Sequence, residues 1–365
     1  MKPALRYSPD LETLRDDEAE GLTAVEEGLA TILATTLRDE GRGLRAVHAK
    51  AHAYLTGTLS VLPDLPPELA QGMFATPGDH PAILRVSTNP GDVLDDSISL
   101  PRGIALKVLG VKGPRLPGAE GDAQDFLMVN APVFASPDPA DFARSLKLLA
   151  LTTDRLEWAK KALSLTLRTV ERGIEAVGLE SRALKSFGGA LNVHPLGERY
   201  FSTVPFRHGD YVAKYALVPV SDTLTRHSGE EIATIGHPDA IRAAMDRDTR
   251  AGAMTWELCA QLMRDPETMP VEDPRVEWPE DESPLLPVAR LRVEAQPSFD
   301  AAAARAADDR LRFSVWTGLA AHRPLGAINR ARRDAYLFST GFRERANRCP
   351  IHEPTDTAIG DMSHG

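Results

Sequence analysis

The chain has 365 residues, 42% hydrophobic and 26% charged, with a net charge of −10. These proportions suit a globular protein with one large core or two domains, and exclude a disordered or collagen-like chain. The acidic balance argues against nucleic acid or an anionic membrane as partner. No apolar run reaches the roughly 18 residues of a membrane span, and residues 1–7 lack a secretory pattern, so a cytoplasmic location is expected.

Residues 1–20 are polar and read as an N-terminal arm. From 21 to 53 apolar residues recur at helical spacing (Leu22, Val25, Leu29, Ile32, Leu33, Leu37, Leu44), predicting a helix that runs toward His48. Short β-rich runs follow over 54–62, 82–88, 104–110 and 126–134, separated by Pro and Gly clusters at 63–67 and 113–121. Residues 139–178 predict a helix opened by Pro139 and closed by Gly173 and Gly178, with an apolar stripe through Phe142, Leu146, Leu149, Leu156, Leu163 and Leu167. A second β-rich stretch covers 200–220. A helix over 238–263, a strand over 285–294 and a long basic helix over 325–347 complete the series. Strands before and after a helical block, without βαβ alternation, predict an α+β domain over 21–350 with a largely antiparallel sheet. Residues 351–365 read as a flexible tail. Cys259 and Cys349 show no metal-ligand spacing and are expected as reduced thiols.

The chemistry starts at Arg45-Ala46-Val47-His48-Ala49-Lys50. A histidine titrates near physiological pH, and an arginine grips a carboxylate in a fixed fork; three residues apart on a helix, the two would share a side. Alone, such a histidine more often only satisfies a buried carbonyl. His52 completes an H-x-x-x-H spacing, but no acid lies between the two, and a metal pair is not read there. Three further strings give His48 company: Arg85-Val86-Ser87-Thr88, then Asp125 to Phe134 with Asn130 and Pro132, then Arg332-Arg333-Asp334-Ala335-Tyr336. A phenol is neutral at pH 7 unless a cation stands beside it, and Arg332 is one helical turn from Tyr336.

In this order the strings resemble the haem catalases. Pro101-Arg102-Gly103-Ile104-Ala105-Leu106-Lys107, Trp278-Pro279 and Pro284-Leu285-Leu286-Pro287-Val288 add to the resemblance, which runs from about Arg45 to Arg343. It implies a closed antiparallel β-barrel wrapped by helices, with haem b buried between barrel and helices. It implies His48 as the distal acid–base group, Asn130 as a neutral donor to peroxide, and Ser87 on the other ring nitrogen of His48. Tyr336 would ligate the haem iron, supported by Arg332. Arg45, Arg85 and Arg343 would hold the propionates, with Phe134 and Phe142 near the porphyrin. The implied activity is reduction of hydrogen peroxide or organic hydroperoxides through a ferryl species. A small-molecule peroxide and an organic reductant would be the partners, and a homo-oligomer is compatible with the family.

The chain departs from the family pattern in several places. Leu337, not proline, follows the tyrosine, Leu100 stands where an acid often precedes P-R-G, and the chain ends soon after Tyr336. A wider, less polar entrance is therefore expected. Pro324 to Arg333 resembles a string of short catalase-like proteins, a minimal branch. Two other functions share the pattern: a fatty-acid hydroperoxide isomerase or dehydratase of the allene oxide synthase kind, and a non-catalytic haem-binding protein. Val47, where the isomerases tend to have threonine, counts against the first.

Overall fold

The computed structural model describes residues 1–152 and 192–358. In chain order the elements are α1 (Glu18–Glu40), β1 (Ala51–Val61), β2 (Gly78–Thr88), β3 (Arg102–Val108), β4 (Gln124–Val129), α2 (Pro139–Thr152), β5 (Tyr200–Phe201), β6 (Phe206–His208) and β7 (Tyr211–Pro219). They continue with α3 (Ala240–Thr249), β8 (Met254–Leu262), β9 (Leu286–Val293), α4 (Ala301–Arg310) and α5 (Ala327–Asn347). The helix expected over 139–178 is seen as α2; its remainder lies outside the described residues.

The strands hydrogen-bond in the order β5-β4-β3-β2-β1-β9-β8-β7, and β5 pairs back onto β7, which closes an eight-stranded barrel with β6 attached to β7. Every pairing is antiparallel. Successive side chains on a strand face opposite ways, so each strand feeds two environments. Inside go Ala53, Leu55, Leu59 and Val61 of β1, Leu84 and Val86 of β2, Ile104 and Leu106 of β3, and Phe126 and Met128 of β4. Tyr215, Leu217, Trp256, Leu258, Ala289 and Leu291 join them. The outer face of β1–β4 carries Tyr54, Ile83 and Leu127, and is covered by Ala304, Ala307, Leu311 and Phe313 from α4 and the segment after it.

The barrel interior also holds a polar relay whose protons are fixed by its ends. Met73 N–H donates to His322 Nε2 at 3.0 Å, so His322 carries its proton on Nδ1, 3.0 Å from the Tyr215 hydroxyl. His208 Nε2 lies 3.0 Å from Leu69 O and must be the protonated nitrogen, leaving its Nδ1 to accept the Tyr215 O–H at 2.9 Å. Burial lowers His208 to about 4 and His322 to about 3, from 6.5. The unfolded chain thus binds more protons below pH 6.5, and stability present at neutral pH drains away as pH falls toward 4. Each histidine contributes a slope of up to about 1.4 kcal/mol per pH unit. Melting temperatures recorded from pH 7 to pH 4.5 check this; a flat series would refute it.

Four expectations differ from the structure. The helix predicted toward His48 stops at Gly41, whose left-handed φ of 67° lets its N–H close onto Leu37 O, and residues 41–50 run as an irregular loop. The helix predicted over 238–263 is α3 followed by β8, split at Ala251-Gly252; Trp256, Leu258, Ala260 and Leu262 alternate into the barrel core with period two. The arm is docked, and so is the described start of the tail. Leu5 N–H donates to Met263 O and Tyr7 N–H to Asp210 O, with Leu5, Tyr7 and Leu11 packed beside Trp278. Ile351 is buried, and Glu353 accepts from Lys107 at 2.6 Å and Arg312 at 2.7 Å. Backbone and apolar partners hold the arm, and Lys107 and Arg312 hold the start of the tail; all are distant in the chain and invisible to local sequence. Both cysteines are free thiols, as expected. Among the described residues no helix is long and apolar enough to cross a membrane.

Candidate functional site

His48 belongs to the loop between α1 and β1, not to a helix, so its alignment with Arg45 does not come from helical spacing. Its φ of 56° puts a non-glycine residue in the left-handed region, a conformation costing about 1–2 kcal/mol. Neighbours over-determine it. His48 N–H donates to Asn89 O at 2.6 Å, Ala49 N–H to Pro90 O at 3.0 Å, and Arg85 Nη2 to His48 O at 2.8 Å. Just beyond, Lys50 is buried and spends its three donors on Asp96, Leu94 O and Pro238 O, anchoring the loop. His52 has left the loop for β1, where Nε2 meets Thr88 Oγ1 at 3.1 Å.

The backbone twist lays the imidazole against Gly103 of β3 and sets Nδ1 3.2 Å from Ser87 Oγ on β2. Burial, then the charges of Arg85, Arg332 and Arg45, lower His48 to about 3 from 6.5, so the ring is neutral across physiological pH. A Cβ on Gly103 would stand 2.5 Å from His48 Cε1 and 2.8 Å from Nδ1. Gly103→Ala should therefore swing the ring off Ser87 with the fold intact. A histidine side-chain NMR shift with an unchanged melting temperature would show it; unmoved imidazole resonances would refute it.

Arg45, Arg85 and Arg343 come together around one residue the sequence reading missed, Asp308 near the end of α4. Its Oδ1 accepts from Arg45 Nε at 3.3 Å and Arg85 Nη2 at 3.4 Å, and from the hydroxyl of Tyr54. Arg85 Nε donates to that Tyr54 hydroxyl at 2.9 Å. Arg343 donates to the backbone oxygens of Asp308 and Leu311, and Arg45 also donates to Leu311 O at 2.9 Å. A local signal for Asp308 existed. Asp308 and Asp309 are adjacent carboxylates in the last turn of a helix, where the dipole disfavours them unless cations answer. The alanine-rich α4 has no apolar stripe to betray the helix itself.

α5 presents Arg332, Tyr336, Ser339 and Arg343 along one stripe, while Ala335, Phe338 and Phe342 pack toward α1 and α2. Tyr336 is half-buried and packs against the apolar cluster on the outer barrel face. Arg332 Nη2 reaches the Tyr336 hydroxyl at 3.5 Å, and Ser339 Oγ accepts Ala46 N–H at 3.2 Å, tying the helix to the His48 loop. The string before Tyr336 aims the helix. Asn329 is fully buried and donates to Pro205 O and Leu325 O, and Arg330 binds Glu12, Glu18 and Glu272.

Asn130 sits one residue past β4, with its side chain on Arg102 N–H and Glu198. Phe134 and Phe142 pair edge to face, centroids 5.3 Å apart; Phe142 also packs on the cluster that includes Val47. Among the described residues, His194, His227 and Asp248 are a further set with ligand-type atoms within 4.8 Å. Leu196 N–H donates to His194 Nδ1, so Nε2 carries the proton and donates to Asp248, which Arg247 also holds. That cluster is satisfied by its own donors.

The sequence matches no protein-family model and no curated protein. The structure does find similar folds. A fungal catalase aligns with a TM-score of 0.58 and 19% identity over 86% of this chain. Catalase A from Saccharomyces cerevisiae aligns at 0.60 and 16% over 89%, and a bacterial catalase at 0.57 and 16% over 96%. The fold is catalase-like. This catalase-like chain spans 62% of the fungal catalase's length and 66% of each of the other two.

The residues fit the haem that the resemblance implies. Arg343 is 2% exposed, its Nε has no partner among the described residues, and burial together with the neighbouring Arg45 charge pulls it down to about 9. Three guanidiniums against one carboxylate leave buried positive charge uncompensated, and a ligand edge bearing two carboxylates would balance it.

Proposed function

We propose that this chain binds haem b and activates peroxides, reducing hydrogen peroxide or organic hydroperoxides in the manner of a catalase or peroxidase. The observation that carries the reading is convergence. A neutral histidine on Ser87 feels the charges of Arg85, Arg332 and Arg45, the same Arg332 reaches the Tyr336 hydroxyl, and Arg45 and Arg85 share Asp308 with a buried, uncompensated Arg343.

Arg45, Arg85 and Arg343 would hold the propionates, and Tyr336 would ligate the iron. Arg332 Nη2, 3.5 Å from the Tyr336 hydroxyl, would set a guanidinium beside the ligating oxygen. Haem would supply the metal that binds one peroxide oxygen and the electrons for O–O cleavage. With Nδ1–H given to Ser87 Oγ, His48 Nε2 keeps a lone pair. It takes the proton of the bound peroxide and delivers it to the departing oxygen, and its low basicity favours rapid return. Asn130 would donate to the peroxide without adding charge. Leu100, in place of a channel acid, would make the entrance less polar and favour organic hydroperoxides and an organic reductant.

Purified protein mixed with haem should take it up stoichiometrically with a tyrosinate-type absorption spectrum, and Tyr336→Phe should lose that spectrum. Peroxide consumption measured beside oxygen release then sorts the chemistry. Lipid hydroperoxide vanishing with no reductant consumed and no oxygen released would indicate an isomerase. Haem uptake with no turnover would leave a binding protein. Wild type that refuses haem would overturn the proposal.

A further inference from the structure

The side chain of Asn130 is held at both ends of its amide. Its Oδ1 accepts Arg102 N–H at 2.9 Å, and the Asn130 backbone N–H donates to Arg102 O at 3.1 Å. Nδ2 donates to Glu198 Oε1 at 2.7 Å, and Glu198 Oε2 accepts Arg102 Nε at 2.6 Å, which closes a ring of Asn130, Glu198 and Arg102. Arg102 is 1% exposed. The ring stands beside His48, because Gly103, on which the imidazole lies, pairs across the sheet with Val129, the residue before Asn130.

An asparagine side chain has one oxygen and two N–H donors. Arg102 occupies the oxygen and Glu198 one N–H, so a single N–H is left to offer. Turning the amide over would place its oxygen against the Glu198 carboxylate and its NH2 against Arg102 N–H. Two attractions would become two repulsions.

We propose that Glu198 is a positioning residue that makes Asn130 a donor and never an acceptor toward whatever binds beside His48. The site then selects a ligand atom with lone pairs, such as a peroxide oxygen, and discriminates against a group that can only donate there. This rests on the proposed haem function for its ligand, but not for the lock itself.

Asn130→Asp, Glu198→Gln and the double variant separate the two. Asn130→Asp sets two carboxylates against each other and should lower the melting temperature of the haem-free protein. The double variant rebuilds the ring in reverse: the introduced glutamine amide donates its N–H to the introduced carboxylate, and its oxygen accepts Arg102 Nε. It should recover most of that loss, a coupling that a merely structural pair of independent residues would not show. Simple additivity would overturn the lock. In haem-loaded, reduced protein the carbon monoxide stretch reports donors over the ligand. Glu198→Gln, which removes one of the two repulsions against turning, should add a second, higher-frequency band. The double variant, folded but without the donor, should match Asn130→Asp, and a Glu198→Gln spectrum identical to wild type would overturn the positioning role of Glu198. If wild type takes up no haem, the function reading fails while the stability cycle still decides the lock.

Discussion

Asp308→Ala is expected to destabilise the domain by about 3–5 kcal/mol, because it strands Arg45 and Arg85 in the barrel–α5 seam beside the already uncompensated Arg343. Urea unfolding reads the effect as a drop in midpoint. The pH dependence has a definite sign. Burial alone would raise the Asp308 carboxyl, but Arg85 and Arg45 hold it below its ordinary value of 3.8. Its contribution is therefore present above that value and is lost as pH falls through the lower folded value, so variant and wild type should converge in acid. Haem should narrow the gap as well, since its carboxylates would replace the missing one and bind the folded state alone. A variant as stable as wild type at pH 7 would show that the three arginines do not depend on Asp308.

His48→Ala carries the second large effect. In haem-loaded protein the rate of peroxide cleavage should fall about 10²–10⁴-fold, the usual contribution of a positioned acid–base group, with haem uptake unchanged. With the imidazole held near 3, the wild-type rate should be flat from pH 5 to pH 9 as far as His48 is concerned. Stopped-flow measurement checks both. A wild-type rate that climbs through an apparent pKa near 6.5 would mean that His48 is solvated and titrating, contrary to its packing against Gly103.

Much of the architecture could be read locally. Short β-rich runs between Pro and Gly clusters marked β1 to β4, β7 and β9, and the absence of βαβ order marked their antiparallel pairing, while the closed barrel followed only from the family resemblance. The spacing of Arg332, Tyr336 and Arg343 placed all three on one stripe of α5 because a helix repeats every 3.6 residues whatever surrounds it. Ser87 could be assigned to His48 only through the family resemblance, and the structure puts the two 3.2 Å apart. The stretch 254–262 failed as a helix because a short apolar run satisfies both periods, and only its neighbours β7 and β9 decide between them.

Local sequence dictates which side chains can share a strand face or a helix stripe, since those relations depend on backbone geometry over a few residues. It also contains the histidine, the tyrosine and the arginines of the site. How those groups are charged and aimed is settled only when the chain is folded. Asp308 lies 263 residues from Arg45 and 223 from Arg85, Glu198 lies 68 from Asn130, and the twist that turns His48 onto Gly103 is held by Asn89, Pro90 and Arg85. Burial and charge pairing are properties of the closed barrel with α4 and α5 laid against it. No window of local sequence contains the partners that set them.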